Sequence, residues 1–582
     1  MSGVWRRALV AIAVCGAISA PPWAAAREIW VDANAAGAAG PLRGTSDAPL
    51  RTIAAAAKVA VAGDVVTIRA GEYPEQTIAI PNSGTAGNPV VFQAERPGTV
   101  RIIGGPEVKE FTNDERPIRF GTRPRRKDNN ELWSGAQHVT LRGLTIANAR
   151  GVAIAAGTGW RIEDCLITWP MFDGIVARGD DITVLRTVVE NAGNNGMTGG
   201  FGRNIRIADS ITRRCNRIGN APGNTSGASK FLWTTGLRVH RHVSYDNFGS
   251  GWWMDWNNVD YEVAGSTIFG NHAGEAMEHG ERVDQWWAGA GIWSEGNPGP
   301  GRIADNLIYS NTGAGIGLLE SGRVTVEHNV IFDCARGIEL RDMDREDVAD
   351  HERQRAVRDL VIRDNRFKAW RDDAAIATSI GAWAKGPRPR DYRVAFRNNL
   401  FDPIAGSGIL MWIEAEPFPQ PEAMAMLEES GGAGSEAAGA GNRVTRLPAP
   451  AKTIGTVSTN LAAITAALPQ RFRQVESDAV EKLSIRDAFA GRAIGEVIAI
   501  PALGRTAFEA ATGGKWSCEV YDLATRAHVR LHLRSEADRD ALGRAVGVHA
   551  SLEPAWVRVR VTRNDPYHLE AEYISLQAVA DH

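Results

Sequence analysis

The chain has 582 residues, of which 65 are basic and 68 acidic, so its net charge at neutral pH is only −3. This balance argues against nucleic acid as an electrostatic partner, yet it is compatible with a local cationic groove for an acidic polysaccharide. The five cysteines show no Cys-x-x-Cys spacing, which favours buried thiols over a disulfide framework or a zinc site.

Residues 1–26 have the pattern of a secretory signal peptide. Arg6 and Arg7 precede the apolar run ALVAIAVCGAISA, and residues 24–26 (AAA) provide a small-residue cleavage site. The run is too short to span a bilayer, and no later segment resembles a membrane span. The sequence therefore predicts a secreted or periplasmic protein, most simply a monomer.

Residues 27–138 are predicted to form the N-terminal cap and the first rungs of a repeat fold. The Ala-rich segment 48–60 (APLRTIAAAAKVA) predicts a short helix that covers the open end of a strand stack. The segments 63–73 and 88–95 alternate apolar and polar residues, as the first strands should.

Residues 139–415 repeat one short pattern of alternating apolar residues followed by a turn, as in VTLRGLTIAN (139–148). The equivalent positions Ile162, Val184 and Ile207 lie 22 and 23 residues apart. A fixed period of this size with strand-like alternation predicts an all-β fold, a right-handed parallel β-helix. Equivalent residues of successive rungs then lie about 4.8 Å apart.

Two further features accompany the repeat. Asn residues recur at its turns and predict structural ladders of stacked amides. They are Asn191, Asn247, Asn271, Asn306, Asn311 and Asn329. The spacing also exceeds one rung at 217–236, 272–292 and 342–357, and such insertions emerge as loops that can wall a cleft.

The composition changes after the repeat. Residues 416–469 include a long Gly- and Ala-rich stretch and are predicted to form a linker. Residues 470–582 contain strictly alternating segments such as AWVRVRVTRN (555–564), which predict a small β-rich C-terminal domain, a barrel being one option.

The rung period places charged residues in one column. Aligning rungs on a turn glycine brings Lys230, Asp255 and Glu295 to one face, with Glu278 and Glu320 within one residue of the same position. A solvated ladder in which Lys230 pairs with Asp255 is the plain alternative, and it would contribute about 0–1 kcal/mol to stability.

Tryptophan favours a binding site over a solvated ladder. Seven of the 18 Trp residues lie between residues 233 and 293, and two insertions flank this region. An indole outside the narrow interior of a β-helix offers a face for sugar stacking, so Trp252, Trp253 and Trp293 are predicted to bind substrate. Carboxylates, a cation and aromatic faces in one cleft indicate a carbohydrate site.

The segment 227–255 (GASKFLWTTGLRVHRHVSYDNFGSGWWMD) carries a family resemblance. Over residues 28–400 the chain resembles secreted polysaccharide lyases of the parallel β-helix type, most nearly the family-nine pectate lyases, in which a Gly-x-x-x-Lys-type segment supplies the Brønsted base. The resemblance implies that Lys230 is this base. It also implies calcium as a cofactor, although the family's Asp-Asp-Gly-Trp-Asp run is GSGWWMD (249–255) here, with two acids missing and the third displaced.

The chemistry implied is β-elimination at a uronate, in which a base removes the C5 proton beside a neutralised carboxylate. The predicted catalytic residues are Lys230, Asp255 and Glu295. A lysine acts as a base only in its neutral form, and the adjacent Asp255 opposes that form. Further predicted substrate-binding residues, besides the tryptophans, are Arg238, Arg241, His242, Glu278 and Glu320.

Three other functions fit the same column. Asp255 with Glu278 or Glu295 forms a carboxylate pair suited to glycoside hydrolysis, with retention at a separation of about 5 Å and inversion at about 6.5–9.5 Å. A C5 epimerase shares proton abstraction with the lyase. A non-catalytic glycan-binding protein would use the same fold without any chemistry.

Overall fold

A computed structural model describes most of the repeat region and the strands of the C-terminal part. The predicted signal peptide, residues 1–26, lies outside the described residues. These are 27–35, 43–74, 78–103, 118–121, 135–149, 151–170, 172–217, 222–223, 226–273, 276–278, 281–283, 286–342, 357–368, 376–379, 393–402, 409–413, 416–419, 425, 441–445, 447, 489, 491–502, 504–505, 509–511, 515–521, 528–545, 555–564 and 569–576.

Three sheets of 13 strands each surround one interior, and successive strands of a sheet come from successive rungs. Sheet 1 contains β1 (Glu28–Val31), β2 (Val65–Ile68), β5 (Val90–Ala94), β8 (Val139–Arg142), β11 (Arg161–Glu163), β14 (Thr183–Leu185), β17 (Arg206–Ala208), β20 (Arg238–His240), β23 (Tyr261–Ala264), β28 (Gly301–Ala304), β31 (Val324–Glu327), β34 (Leu360–Arg363) and β37 (Val394–Arg397). Sheet 2 contains β3 (Gly71–Tyr73), β6 (Val100–Ile103), β9 (Leu144–Ala147), β12 (Leu166–Thr168), β15 (Val188–Glu190), β18 (Ile211–Arg213), β21 (Val243–Tyr245), β24 (Thr267–Phe269), β29 (Leu307–Tyr309), β32 (Val330–Phe332), β35 (Arg366–Lys368), β38 (Leu400–Asp402) and β41 (Arg443–Val444).

Sheet 3 carries the candidate site. It contains β4 (Ile78–Ala79), β7 (Ile118–Gly121), β10 (Val152–Ala156), β13 (Ile175–Ala177), β16 (Met197–Gly200), β19 (Ser229–Leu232), β22 (Trp252–Asp255), β27 (Ile292–Glu295), β30 (Ala314–Leu319), β33 (Arg336–Arg341), β36 (Ile376–Ser379), β39 (Ile409–Ile413) and β40 (Glu416–Pro419). Adjacent strands are parallel except for the terminal pair of β39 with β40. The predicted right-handed parallel β-helix is confirmed.

The interior is filled by columns of aliphatic side chains. Ile162, Val184 and Ile207 are register partners in β11, β14 and β17, as the rung period predicted, and none is more than 1% exposed. The described cysteines, Cys165, Cys215, Cys334 and Cys518, are all buried, as predicted. Burial raises the pKa of the Cys165 thiol to about 12.

The chain changes direction at corners where single residues adopt a left-handed backbone, such as Asp164 and Asp209 between sheets 1 and 2. Of the 28 non-glycine residues described with positive φ, nine are Asp and six are Asn. Short polar side chains tolerate this conformation best. Each such corner interrupts the strict alternation of side chains, so a count along the sequence loses track of which residues face outward.

Asparagine ladders line the inside of the corners, as predicted for five of the six Asn residues. Asn191 belongs to neither ladder, and its Oδ1 has no hydrogen-bond partner among the described residues. Asn247, Asn271 and Asn311 form one ladder, in which each side chain donates from Nδ2 to Oδ1 of the next at 2.8 and 3.0 Å. A second ladder runs from Asn306 through Asn329, Asn365 and Asn399 to Asn442. The ladders therefore bind successive rungs together through buried amides.

Asn329→Ala is expected to lower the free energy of unfolding by about 2–5 kcal/mol. Nδ2 of Asn329 donates to Asn365 Oδ1 at 3.0 Å and to the Ile303 carbonyl at 2.9 Å. Its Oδ1 accepts from both the backbone and the side-chain nitrogen of Asn306. The substitution leaves several of these buried groups without partners. Urea denaturation measures the loss, and Thr325→Ala, a partly exposed position on the same rung, is the control. Equal losses in both variants would contradict the ladder's role.

The N-terminal cap is the predicted helix. It spans α1 (Ile53–Val59), and the Thr52 side chain caps it by accepting from the backbone N–H of Ala55 at 3.1 Å. Ile53 and Ala57 are fully buried against the first rungs. The helix thus covers strand ends that would otherwise be open to pairing with another chain.

The β-helix extends beyond the predicted boundary at residue 415. β41 pairs with β38 in sheet 2, and Asn442 completes the second asparagine ladder. Part of the predicted linker, 416–469, therefore belongs to the helix. The boundary was misplaced because the last strands are separated by long insertions that hide the rung period.

The C-terminal part is β-rich, as predicted, and has its own core of residues such as Val520, Leu531 and Val559. Among the described strands, the sheet order runs from β42 to β43 with no pairing that would close it into a barrel. Its elements are β42 (Val497–Ala502), β43 (Gly504–Arg505), β44 (Glu509–Ala511), β45 (Lys515–Tyr521), β46 (His528–Leu533), α2 (Glu536–Ala545), β47 (Ala555–Asn564) and β48 (Leu569–Leu576). Within the described residues, no helix has the length and apolar character needed to cross a membrane.

Candidate active site on the outer face of sheet 3

The predicted insertions join the helix at the two edges of sheet 3. The first connects β18 to β19, and the second, which includes the hairpin of β25 (Ala276–Glu278) and β26 (Glu281–Val283) and a 3₁₀ turn at Trp286–Gly289, connects β24 to β27. The third leaves sheet 3 between β33 and β34. The outer face of sheet 3 thus lies between the insertions, which favours it as the functional face.

Two outward rows of side chains cross this face. The pairing of Phe231 with Met254 sets β19 against β22, and Asp255 is the register partner of Glu295. The rows are two residues apart on each strand and so point to the same side. The first row is Thr198, Lys230, Trp253, Trp293, Gly317 and Glu339. The second row is Leu232, Asp255, Glu295, Leu319 and Arg341.

An ion pair joins the two rows. Nζ of Lys230 lies 3.0 Å from Oδ2 of Asp255 and 4.0 Å from the centroid of the Trp253 ring. The exposed fractions of the two charged side chains are 14% and 13%. The pair therefore lies in a nearly enclosed setting, where water and salt screen it less than they would on an open sheet face.

Glu295 supplies a second carboxylate one rung from Asp255. The Cα atoms of register partners on adjacent strands are about 4.8 Å apart. Glu295 is 8% exposed, and its Oε2 accepts a hydrogen bond from Nε1 of Trp293 at 3.2 Å. Two outward carboxylates on adjacent rungs, one of them paired with an ammonium group, have the composition needed for cleavage of a glycosidic bond.

Buried amides behind these residues hold the backbone of the site. Nδ2 of Asn258 donates to the carbonyl of Asp255 at 2.9 Å, and Nδ2 of Asn297 donates to the carbonyl of Met254 at 2.8 Å. The two amides also bond to each other at 3.0 Å. A fixed backbone restricts where the Asp255 carboxylate can lie.

The predicted tryptophans do not form an exposed platform. Trp252 points inward and belongs to the main core, so its assignment to substrate binding is corrected. Trp253 and Trp293 do lie on the outer face, but only 2% and 0% of their surface is exposed, in a cluster with Ala290 and Leu319. They form an apolar floor under Lys230 and beside Glu295. Successive side chains along β22 point to opposite sides of the sheet, so Trp252 and Trp253 lie on different faces. The strand register decides which of the two points outward.

Three predicted binding residues lie away from this face. Arg238 is in sheet 1, paired with Asp260 at 2.8 Å, and Arg241 is at a corner between sheets 1 and 2, paired with Asp209 at 2.6 Å. His242 is 0% exposed inside the helix, with its ring edge-on to Trp252. None of them can supply charge or contacts in the sheet 3 site, and these predictions are corrected.

Two predicted glutamates fall outside the second row. Glu278 is in the β25–β26 hairpin of the second insertion, so its strand is not a rung. Leu319 occupies the register position beside Glu295, and Glu320 follows it at a left-handed corner. The prediction was offset by one residue because it aligned the rungs on turn glycines. The number of residues between such a glycine and the outward positions differs from corner to corner.

The same two rows contain further charged residues, Glu339 and Arg341, that the alignment of rungs on turn glycines does not reveal. Glu339 is 0% exposed, and its carboxylate lies 3.5 Å from Nη1 of Arg336 and 3.5 Å from Nε of Arg341. Burial raises the pKa of Asp342, which follows Arg341 in the sequence. Arg341 lies three strands of sheet 3 beyond Asp255 in the same row. Its place in this row could therefore have been predicted from the rung period.

No group of three or more His, Cys, Asp or Glu side chains suited to hold a metal ion occurs among the described residues. The described carboxylates of sheet 3 thus form no such group, and no step proposed below passes through calcium.

Two family models match the chain. The model described as "Right handed beta helix region" matches residues 279–415, and the model described as "Protein of unknown function (DUF1565)" matches residues 36–324. A search of curated proteins finds no match.

Several solved structures align with the chain at low sequence identity. The complex of XylC with xylose aligns at 13% identity over 68% of this chain and 87% of that one, with a TM-score of 0.45. Pectate lyase Pel9A aligns at 15% identity over 61% and 76%, with a TM-score of 0.33. The A-module of the Azotobacter vinelandii mannuronan C-5 epimerase AlgE4 aligns at 14% identity over 62% and 88%, also with a TM-score of 0.33. The strand pairing and the first family model show that the chain is a right-handed parallel β-helix protein, and it carries a cation and two carboxylates on one nearly enclosed face.

Proposed function

We propose that the protein is an enzyme that cleaves glycosidic bonds of a polysaccharide, with hydrolysis at Asp255 and Glu295 as its reaction. The observation that carries the proposal is the register of β22 and β27, which sets these two carboxylates on adjacent rungs and on the same outward face. Because the Cα atoms are about 4.8 Å apart, the two side chains can bring their carboxyl groups to the separation of about 5–5.5 Å that retaining enzymes use.

The reaction has two displacements. In the first, the Asp255 carboxylate attacks the anomeric carbon while Glu295 donates its proton to the leaving oxygen, so the glycosidic bond breaks and an ester forms. In the second, Glu295 removes a proton from water, the water oxygen attacks the same carbon, and Asp255 leaves. The net change is the addition of one water with retention at the anomeric carbon.

Lys230 and the tryptophan floor support this chemistry. An ammonium group 3.0 Å from Asp255 favours the ionised carboxylate that the first displacement needs. The indole rings of Trp253 and Trp293 exclude water beneath the two carboxylates, which strengthens electrostatic interactions in the site. Export of the chain, as residues 1–26 predict, would bring it to polysaccharides outside the cytoplasm.

The second candidate is β-elimination at a uronate-containing glycan, as in the family-nine pectate lyases, with C5 epimerisation as a related outcome. It is favoured by the position of Lys230 on the floor of the site. Once a substrate separates Nζ from Asp255, the ammonium group can lose a proton to water, and the neutral amine can then accept the C5 proton as the 4-linked oxygen leaves.

One assay separates the candidates. The purified full chain is incubated with xylan, cellulose, polygalacturonate and alginate, with and without a chelator, and both new reducing ends and ultraviolet-absorbing unsaturated uronates are measured. Hydrolysis predicts reducing ends without ultraviolet absorbance, and elimination predicts both. The absence of any product on all four polysaccharides would count against the proposal. Activity that is present without the chelator and lost with it would show a metal requirement.

A further inference from the structure

The indole of Trp293 is fixed in the candidate active site by contacts at two opposite edges of its ring. The residue is 0% exposed, and its Nε1 donates to Oε2 of Glu295 at 3.2 Å. At the other edge, atoms Cε3 and Cζ3 lie over Gly317, the register partner of Trp293 on β30. One side chain therefore connects the Glu295 carboxylate to the backbone of the next rung.

Gly317 supplies the space that this indole occupies. A methyl group added at Gly317 would come within 2.0 Å of Cε3 and 2.1 Å of Cζ3 of Trp293. Gly317 lies inside β30 and its φ is not positive, so the backbone conformation does not require glycine there. Glycine within a strand weakens the sheet and often marks the close approach of another group. The close approach of the indole accounts for this glycine.

The hydrogen bond from Trp293 distinguishes the two oxygens of Glu295. An indole N–H is only a donor, so Oε2 acts as the acceptor. In a protonated carboxyl group the oxygen without the proton is the better acceptor, which leaves Oε1 to carry the proton. Because the indole is neutral and does not titrate, it can hold Glu295 in both the protonated and the ionised form.

We propose that Trp293 is a positioning residue for Glu295, holding Oε2 and thereby directing Oε1 toward the leaving oxygen of the glycosidic bond. The inference rests on the proposed function, in which Glu295 is first the general acid and then the general base. In the first displacement the proton passes from Oε1 to the leaving oxygen, and in the second Oε1 takes a proton from water. Trp293 itself exchanges no proton.

The test compares leaving groups, because only a group that needs a proton depends on the orientation of Glu295. 2,4-Dinitrophenolate leaves without a proton, whereas phenolate needs one. The substrates are the 2,4-dinitrophenyl and phenyl glycosides of the disaccharide from whichever polysaccharide the wild type hydrolyses, namely xylobiose, cellobiose, digalacturonate or dimannuronate. kcat/KM is measured, since it reports the first displacement. Trp293→Phe removes the N–H and keeps an aromatic ring, and Gly317→Ala keeps every polar atom but displaces the indole.

Trp253→Phe is the matched control. Trp253 is the register partner of Trp293 on β22 and is 2% exposed, but its Nε1 donates to no acceptor within the described part of the chain. The substitution shortens a ring of the same floor without removing a hydrogen bond to Glu295. It should therefore change kcat/KM for both leaving groups by the same factor.

Trp293→Phe and Gly317→Ala are each expected to lower kcat/KM about tenfold to a hundredfold for the phenyl glycoside and less than about threefold for the dinitrophenyl glycoside. Equal losses on the two glycosides, or the same selectivity in Trp253→Phe, would overturn the inference and retain the hydrolase. A wild type that hydrolyses none of the four polysaccharides would overturn the proposed function and the inference together. Circular dichroism checks folding, and Trp293→Phe decides if Gly317→Ala does not fold.

Discussion

Asp255→Ala is expected to lower kcat for glycan cleavage by about 1,000-fold or more, because the nucleophile and its charge disappear together. Azide should restore turnover, since a small anion can enter the vacated space and attack the anomeric carbon, and the product is then a glycosyl azide.

Glu295→Gln should lower kcat to a comparable extent, and the loss should be smallest for substrates whose leaving group needs no proton. Steady-state kinetics and mass spectrometry of the azide product provide the measurements.

Lys230→Met separates the two candidate reactions. In hydrolysis it removes the counter-ion of Asp255 and should lower kcat about tenfold to a hundredfold, whereas in elimination it removes the base and abolishes the unsaturated product. The control is Asp260→Ala, which removes a largely exposed carboxylate paired with Arg238 in sheet 1. Full activity of Asp255→Ala, or equal losses in that variant and the Asp260 control, would refute the site.

Acid is expected to weaken the fold through His242. The imidazole is 0% exposed, and neither ring nitrogen has a hydrogen-bond partner within the described part of the chain. Burial lowers the pKa of His242 to about 3, against about 6.5 in an unfolded chain. Below pH 6.5 the unfolded chain binds a proton that the folded chain does not. The free energy of unfolding therefore falls, by up to about 1.4 kcal/mol per pH unit, until about pH 3. Above pH 6.5 this contribution is constant.

His242→Asn should remove that pH dependence. Position 242 belongs to a column of buried polar residues, in which Ser266 Oγ accepts from the backbone N–H of residue 242 and Asn306 Oδ1 accepts from that of Ser266. An Asn side chain suits this column and cannot titrate. Chemical denaturation between pH 4 and 7 is followed by tryptophan fluorescence, since Trp252 lies 5.2 Å from the imidazole. His328→Asn should keep the wild-type dependence, and identical profiles for His242→Asn and the wild type would contradict the prediction.

Local patterns were sufficient for the fold. The spacing of Ile162, Val184 and Ile207 reports hydrogen-bonded neighbours directly, because parallel strands in a solenoid pair in register at one rung's distance. The asparagine ladders were equally accessible, since a residue that repeats at a turn with the rung period must meet its copy above and below. The pairing of Lys230 with Asp255 followed from the same period.

The orientation of individual side chains was not accessible in the same way. Trp252 and Trp253 are adjacent in sequence, yet one lies in the core and the other on the outer face. Arg241 and His242 likewise separate, the first to a corner ion pair and the second to the interior. A shift of one residue exchanges inside and outside on a strand, and left-handed corners introduce such shifts at places that composition does not mark.

The sequence by itself determined that this protein is a β-helix with charged and aromatic residues concentrated over a few rungs. This was possible because periodicity is a one-dimensional property. Only the tertiary structure decided that Trp252 lies in the core, whereas Trp253 and Trp293 form the floor beside Asp255 and Glu295. The physical reason is that register and corner geometry, rather than spacing along the chain, set the direction of each side chain.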